Sequence, residues 1–340
     1  METPRSLGFR MPAEWEPHEA TWIAWPHNRS DWPGKFEPIP WVYAEIVRKL
    51  ALVEKVRILV DDPDAEQGVR RCLRKAEADL DAVEFFHYPT DRVWTRDYGP
   101  IFVKSRSSEL AITNWTFNAW AKYGDWQRDN AIPTVLADRL AMRQWDPGFV
   151  LEGGSIDVNG RGLLLTTEEC LLSDVQARNP GRTRQELEKA FREYLGVRRV
   201  IWLGCGIAGD DTHGHIDDLA RFTGPETIVV ATEADRGDEN YEPLRENWER
   251  LRGGAFKVVK LPMPSPVVFR GRRLPASYAN FYIANRMVLV PTFNDPSDRV
   301  ALNVLARVFP DREIVGIHAV DLVWGLGTLH CMTQQQPSRK

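Results

Sequence analysis

The chain has 340 residues, 43% of them hydrophobic and 27% charged, with a formal net charge of −4. Such a composition suits a globular chain of one large or two ordinary domains, and it contains no basic tract to attract nucleic acid or an anionic membrane surface. No apolar run reaches membrane-span length, and the opening METPRSLGFRMPAEWEPHEA has neither an apolar core nor a small-residue cleavage site, so a cytoplasmic location is expected. There Cys72, Cys170, Cys205 and Cys331, which show no C-x-x-C spacing, should be free thiols rather than disulfides or structural zinc ligands.

In chain order, HEATWIAWP predicts an opening strand, and the amphipathic stretch 41–55 a helix that leads into the strand VRILV. Then a two-strand unit recurs. RDYGPIFVKSRSSELAITNW starts it at Arg96, and GGSIDVNGRGLLLTT repeats it around an N-G-R-G turn. HIDDLARFTGPETIVVAT, turning at Thr223-Gly224-Pro225, is a third version, and SYANFYIANRMVLVPT, turning near Asn285-Arg286, a fourth. The polar residue at the head of each is Asp97, Asp157, Asp217 or Asn280, at separations of 60, 60 and 63 residues. Helical patterns at 130–144, 182–196, 239–253 and 297–309 lie between or after them, and strands such as RRVIWL and KVVKL follow. A near-constant spacing of this kind marks a repeat architecture of about five strand–strand–helix–strand units. The final stretch DLVWGLGTLHCMT, with no helix after it, is expected to be the strand that closes a ring against the first unit. The whole chain, 1–340, is then one catalytic domain.

Each repeat carries polar residues at the same phase: WTRD ending at Asp97, LEGG with Glu152, GDDTHGHIDD around His215, and GTLHC ending at Cys331. On an extended segment, His213, His215 and Asp217 would share one side, which permits a metal site. The remaining histidines, His18, His27, His87, His318 and His330, show no ligand pattern, so no metal and no organic cofactor are expected. Cys72 in a helical pattern and Cys170 in an apolar strand read as core cysteines. Cys331 differs, because Gly325 and Gly327 allow close approach and polar residues follow it. With His215 as acid/base it suits nucleophilic catalysis. Asp97, Glu152, Asp211 and Asp217 are acceptors, not oxyanion donors. They would raise the thiol pKa unless a cation arrived, and a planar guanidinium with its N–H donors is the cation that fits them.

The segments MPAEWEPHEATWIAWP, WTRDYGPIFV, LEGGSIDVNGRG, DTHGHIDDLARF, ASYANFYIAN and LHCMTQQQP together resemble the agmatine deiminase family, relatives of bacterial-type peptidylarginine deiminases among the guanidine-modifying enzymes. The resemblance runs over nearly the full chain. It implies a five-bladed α/β propeller (pentein) and hydrolysis of agmatine to N-carbamoylputrescine and ammonia, as in putrescine biosynthesis. It further implies Cys331 as nucleophile, His215 as acid/base and Glu152 as its partner. Asp97 and Asp217 would grip the guanidinium, Asp211 would contact substrate, and Trp94 would form an aromatic wall. The run before the cysteine departs from the family's glycine-rich form at Leu326 and Thr328. The rival readings are a peptidylarginine deiminase or another small-guanidine deiminase, and a non-catalytic module that binds cations. The expected partner is a small cationic guanidine, with neither nucleic acid nor membrane, and the sequence leaves homo-oligomer formation open.

Overall fold

The computed structural model describes residues 2–340. The first unit contains β1 (His18–Ala24), α1 (Ile39–Leu50), β2 (Lys55–Val60), α2 (Pro63–Lys75) and β3 (Val83–His87). After the single-turn α3 (Thr95–Tyr98), the second unit runs β4 (Ile101–Lys104), β5 (Leu110–Thr113), α4 (Gln127–Arg139) and β6 (Arg143–Trp145). The third is β7 (Asp157–Val158), β8 (Leu163–Thr167), the short α5 (Glu168–Leu172), α6 (Arg184–Leu195) and β9 (Arg199–Leu203). The fourth is β10 (Ala220–Gly224), β11 (Thr227–Thr232), α7 (Tyr241–Arg252) and β12 (Lys257–Pro262). A two-stranded ribbon, β13 (Val268–Phe269) with β14 (Arg272–Arg273), precedes the fifth unit. That unit contains β15 (Tyr282–Ile283), β16 (Met287–Thr292), α8 (Pro296–Val308) and β17 (Glu313–His318). The chain ends in β18 (Gln334–Pro337).

One topology recurs. An antiparallel hairpin is followed by a helix, and the next strand lies parallel to the hairpin's second strand, in the orders β4-β5-β6, β7-β8-β9, β10-β11-β12 and β15-β16-β17. The first sheet, β18-β1-β2-β3, follows the same rule, except that its antiparallel strand comes from the far end of the chain, with Trp22 facing Gln334 and His18 facing Pro337. The fold is therefore α/β, made of small mixed sheets. Each middle strand has neighbours on both sides and is buried almost throughout, which is why it reads WIA, LAIT, LLLTT, TIVVAT or MVLVPT. The helix starts follow capping chemistry. Thr183 and Glu186 form a reciprocal capping box at α6, and Asp295 with Asp298 does the same at α8, where Pro296 is the first helical residue.

Several local expectations are corrected. The stretch before Cys331 is not a strand: Leu322–Gly325 form a 3-10 turn, and the closing strand starts only at Gln334. The H-x-H-x-D segment is not extended, because His213 and Gly214 take positive φ (64° and 91°) and His215 then precedes the 3-10 turn Ile216–Asp218. Arg96 and Asp97 lie on α3 rather than on a strand, and Cys170 lies on α5. Helix α2 and strand β3 add to the first unit elements that the repeat did not foretell. No helix among the described residues is long and apolar enough to cross a membrane.

Candidate active site

The chemistry-bearing residues lie at unit boundaries, where the chain leaves one sheet for the next. Asp97 sits on α3 before β4, Glu152 before β7, His215 and Asp217 before β10, and Asn280 before β15, while Cys331 precedes β18. All six are buried. Gly154 shows how closely they converge. A Cβ built there would lie 2.6 Å from Asp97 Oδ1, 2.7 Å from His215 Nδ1 and 3.1 Å from Asp217 Oδ2, so the position admits no side chain.

Cys331 Sγ lies 3.7 Å from Asp217 Oδ2 and receives a hydrogen bond from Asn280 Nδ2 at 3.1 Å. Its thiol pKa is pushed well above the ordinary value, first by burial and then by the charges of Asp217, Asp218 and Asp97. Asp97 accepts from Gly154 N and from the Trp120 indole, at 3.1 and 2.9 Å. Burial pushes its carboxyl up to about 6; His215 counters this, and Asp217 and Glu152 add to it. His215 sits between two carboxylates, Nδ1 at 3.7 Å from Asp97 Oδ1 and Nε2 at 3.7 Å from Glu152 Oε2, with no hydrogen bond at either nitrogen. Burial alone would lower its pKa, but Asp97 foremost, with Cys170 and Glu152, outweighs burial and raises it well above the usual imidazole value, which favours the protonated ring. For Glu152 too, burial opposes the charged form. The Arg178 guanidinium, whose Nε donates to Glu152 Oε1 at 3.0 Å, holds the carboxyl down at about 2.

A cavity of about 370 Å³ reaches Cys331 and Asp97. Trp94, Trp120, Trp324 and Leu326 supply apolar and aromatic wall, and Gly327 lets Trp94 approach the nucleophile: a Cβ there would meet Trp94 Cζ3 at 2.8 Å and Cys331 Sγ at 3.2 Å. Asp211 also lines the cavity. It is held by Lys122, by Tyr123 Oη at 2.6 Å and by Arg272 Nη2 at 3.2 Å, which together keep its pKa lowered against burial. The structure thus brings together every residue singled out for the site. It does not bring in His213, whose Nε2 faces Ser173 Oγ at 3.2 Å, so the H-x-H-x-D metal set is not assembled. Cys205 is exposed and Cys72 lies on α2, away from the site.

Sequence reasoning missed four residues. Asn280 carries a signal, since it shares the repeat phase of Asp97 and Asp217, but an amide at that phase marks a strand head without pointing to chemistry. Its Oδ1 accepts from Thr328 Oγ1 at 2.7 Å and from His330 N at 3.0 Å, which orients Nδ2 toward the thiol. His330 supports Asp217 from behind, with Nδ1 2.7 Å from Asp217 Oδ2 and Nε2 2.8 Å from Glu14 Oε2. Arg178 and Trp120 come from irregular segments in which no periodicity points inward.

The profile of the Porphyromonas-type peptidyl-arginine deiminase family matches residues 10–337. The chain belongs to this family. An agmatine deiminase from Ectopseudomonas mendocina is 35% identical over 99% of this chain and 97% of its own length. Among solved structures, the agmatine deiminase of Enterococcus faecalis superposes with a TM-score of 0.92 at 32% identity, covering 100% of this chain and 99% of its own. A cysteine-to-serine variant of the C. jejuni agmatine deiminase, with substrate bound, superposes at 0.88 and 32% identity, over 97% and 96% of the two chains.

Proposed function

We propose that the protein is an agmatine deiminase, hydrolysing agmatine to N-carbamoylputrescine and ammonia. The observation that carries this is the convergence of one thiol, one imidazole and two guanidinium-competent carboxylates around Gly154 and Cys331, beside a cavity that reaches the thiol and Asp97, in a chain about one third identical to agmatine deiminases over its full length. The whole chain acts as one catalytic domain. Its five three- and four-stranded sheets are blades of an α/β propeller around the site, a reading supported by their shared topology and by β18 completing the first sheet.

Asp97 and Asp217 accept the guanidinium N–H donors and fix its plane beside Cys331 Sγ. The arriving positive charge offsets the carboxylates that held the thiol protonated, the thiol gives up its proton to solvent, and the thiolate attacks the guanidinium carbon. His215 gives its proton to the departing nitrogen. Ammonia leaves, and Cys331 keeps the amidino group as a thioether. The neutral imidazole then takes a proton from water as the water adds to that carbon. Cys331 is expelled and takes up the proton of the new hydroxyl, which restores the thiol and releases the neutral urea product, with one guanidine nitrogen lost and one oxygen gained. Glu152, fixed by Arg178, and Asp97 stabilise the imidazolium and hold the ring in place. No step calls on a metal or organic cofactor.

The test is to incubate the protein with agmatine, free arginine and a peptide with an internal arginine, and to identify products by mass spectrometry. Carbamoylputrescine with stoichiometric ammonia is expected. Turnover of the peptide alone would assign the site to peptidylarginine instead, and no turnover of any guanidine would leave a cation-binding module.

A further inference from the structure

On the side of His215 away from Asp97 lies a cluster that the reaction above does not use in full. Glu152, Cys170 and His215 are all buried, and each presents one ligand atom within 4.8 Å of the other two. Glu152 Oε2 and both His215 nitrogens have no hydrogen-bond partner. The other carboxylate oxygen, Oε1, is engaged by Arg178, so Oε2 is oriented toward His215 Nε2 at 3.7 Å. Cys170 is held in place by its own backbone, its N–H donating at 3.0 Å to Thr167 Oγ1, which caps α5. Buried polar atoms normally find partners. Here a carboxylate oxygen and an imidazole without partners lie beside a buried thiol, three ligand types within 4.8 Å of one another.

We infer that Glu152, Cys170 and His215 form an inhibitory site for a thiophilic divalent cation such as Zn²⁺, which would capture the acid/base histidine without touching the nucleophile. Binding would release the protons of Cys170 and His215 to solvent, and the resulting thiolate, imidazole and carboxylate are a borderline donor set of the kind zinc takes. Ligand atoms around tetrahedral zinc stand about 3.3–3.6 Å apart, given bond lengths of 2.0–2.3 Å, so the cluster has to contract by only about an ångström. Two anionic ligands balance the ion's charge, and Arg178 acts as the outer partner that orients the carboxylate. Magnesium and calcium, which prefer all-oxygen shells, should not bind. A His215 bound through Nε2 can neither protonate departing ammonia nor accept a proton from water, so occupancy stops turnover.

Two measurements test this. In the Cys331→Ser variant, which lacks the nucleophilic thiol, Co²⁺ should produce thiolate-to-cobalt charge-transfer absorption that Zn²⁺ displaces. The same absorption should be missing when Cys170→Ala is added. This readout needs no turnover, so it stands apart from the assignment of agmatine as substrate. In steady-state assays, Zn²⁺ but not Mg²⁺ should inhibit the native protein, and Cys170→Ala or Cys170→Ser should raise the half-inhibiting concentration roughly tenfold or more. The inference is overturned by any one of three results. These are no absorption in Cys331→Ser, absorption that survives the loss of Cys170, or a Cys170 variant as sensitive to zinc as the native protein.

Discussion

The thiol of Cys331 has one neutral donor, Asn280 Nδ2, among carboxylates. A hydrogen bond to an ionised acceptor contributes about 1.5–3 kcal/mol. Asn280→Ala should therefore lower kcat/KM by roughly tenfold to a hundredfold and shift the pH dependence of thiol alkylation upward. Loss of activity with an unchanged alkylation profile would mean that Asn280 only packs. Cys331→Ser should fold and lose turnover, since a hydroxyl is a far poorer nucleophile at neutral pH; an amidino adduct trapped on another cysteine would sink the assignment. Asp97 gives a third test. Its carboxyl, raised to about 6 chiefly by burial, is neutral below that pH and then cannot hold a guanidinium. The value of kcat/KM should thus fall as pH drops through about 6, and a flat profile from pH 7 to 5 would show that the free enzyme does not need this ionisation. At this scale the sequence was most legible where chemistry named the residue. A thiol, an imidazole and a set of carboxylates in polar motifs could be picked out singly. Asn280, His330 and Arg178 could not, because an amide, a second histidine and a loop arginine gain meaning only from the partner atoms that folding brings within 3.1 Å.

At the scale of elements, hairpins and capped helices were legible because their signals are local. N-G-R-G turns β7 into β8, and the S/T/D caps sit one residue ahead of α6 and α8. Helix α2 was legible only as the helical pattern around Cys72, and not as part of the repeat, because it buries only Val69 and Leu73 and so lacks a wide apolar stripe. The strand expected before Cys331 failed because two of its residues, Leu322 and Val323, are core residues of a turn rather than of a ladder. The polar run behind the cysteine is explained by what β18 joins. Gln334 Nε2 donates to Pro100 O at 2.8 Å, Gln335 Oε1 accepts from Arg96 Nη1 at 2.7 Å, and Gln336 Oε1 accepts from Trp22 Nε1 at 2.9 Å and Arg57 Nη1 at 2.6 Å. Three consecutive amides tie the chain end to the first unit and to the start of the second. Gln336→Leu would bury two donors without an acceptor, at about 1–3 kcal/mol each. The urea midpoint should fall with an unchanged slope, as for a pure loss of stability. An unaltered midpoint would show that water or a rotated partner replaces the amide, and that the strand ladder alone holds the terminus.

For the molecule as a whole, the near 60-residue spacing of Asp97, Asp157, Asp217 and Asn280 revealed the repeat, yet it did not say which of the four face the site. Asp157 instead accepts from Arg221 Nε at 3.2 Å, in the buried charge cluster around Glu14. The distribution of charge along the cavity was also only half legible. Asp97 lines the cavity beside Cys331, with Asp217 Oδ2 3.7 Å from the thiol, as the acidic motifs led one to expect, but Arg92 and Arg272 line the wall, and nothing in those motifs pointed to them. Arg96 faces away from the cavity, toward Gln335 and Glu14. The two wall arginines are already committed. Arg92 bonds Asp31 at 2.6 Å and Asp125 at 2.9 Å, and Arg272 bonds Asp211 at 3.2 Å. The carboxylate of free arginine would have to compete with these partners or lie against Asp211, losing hydration in either case, whereas agmatine brings no such group. A mismatch of about 1.5–3 kcal/mol corresponds to roughly ten- to a hundredfold in kcat/KM in favour of agmatine. The comparison needs one pH and one ionic strength, because the contributing charges are partly exposed and are screened by salt. Replacing Arg272 by Gln should leave agmatine turnover within about threefold, roughly 0.7 kcal/mol, since its guanidinium pairs with Asp211 rather than with the reacting atoms. Arginine used as well as agmatine by the native protein would mean that Arg92 or Arg272 is free to receive a substrate carboxylate, and the charge argument for agmatine would fall with it.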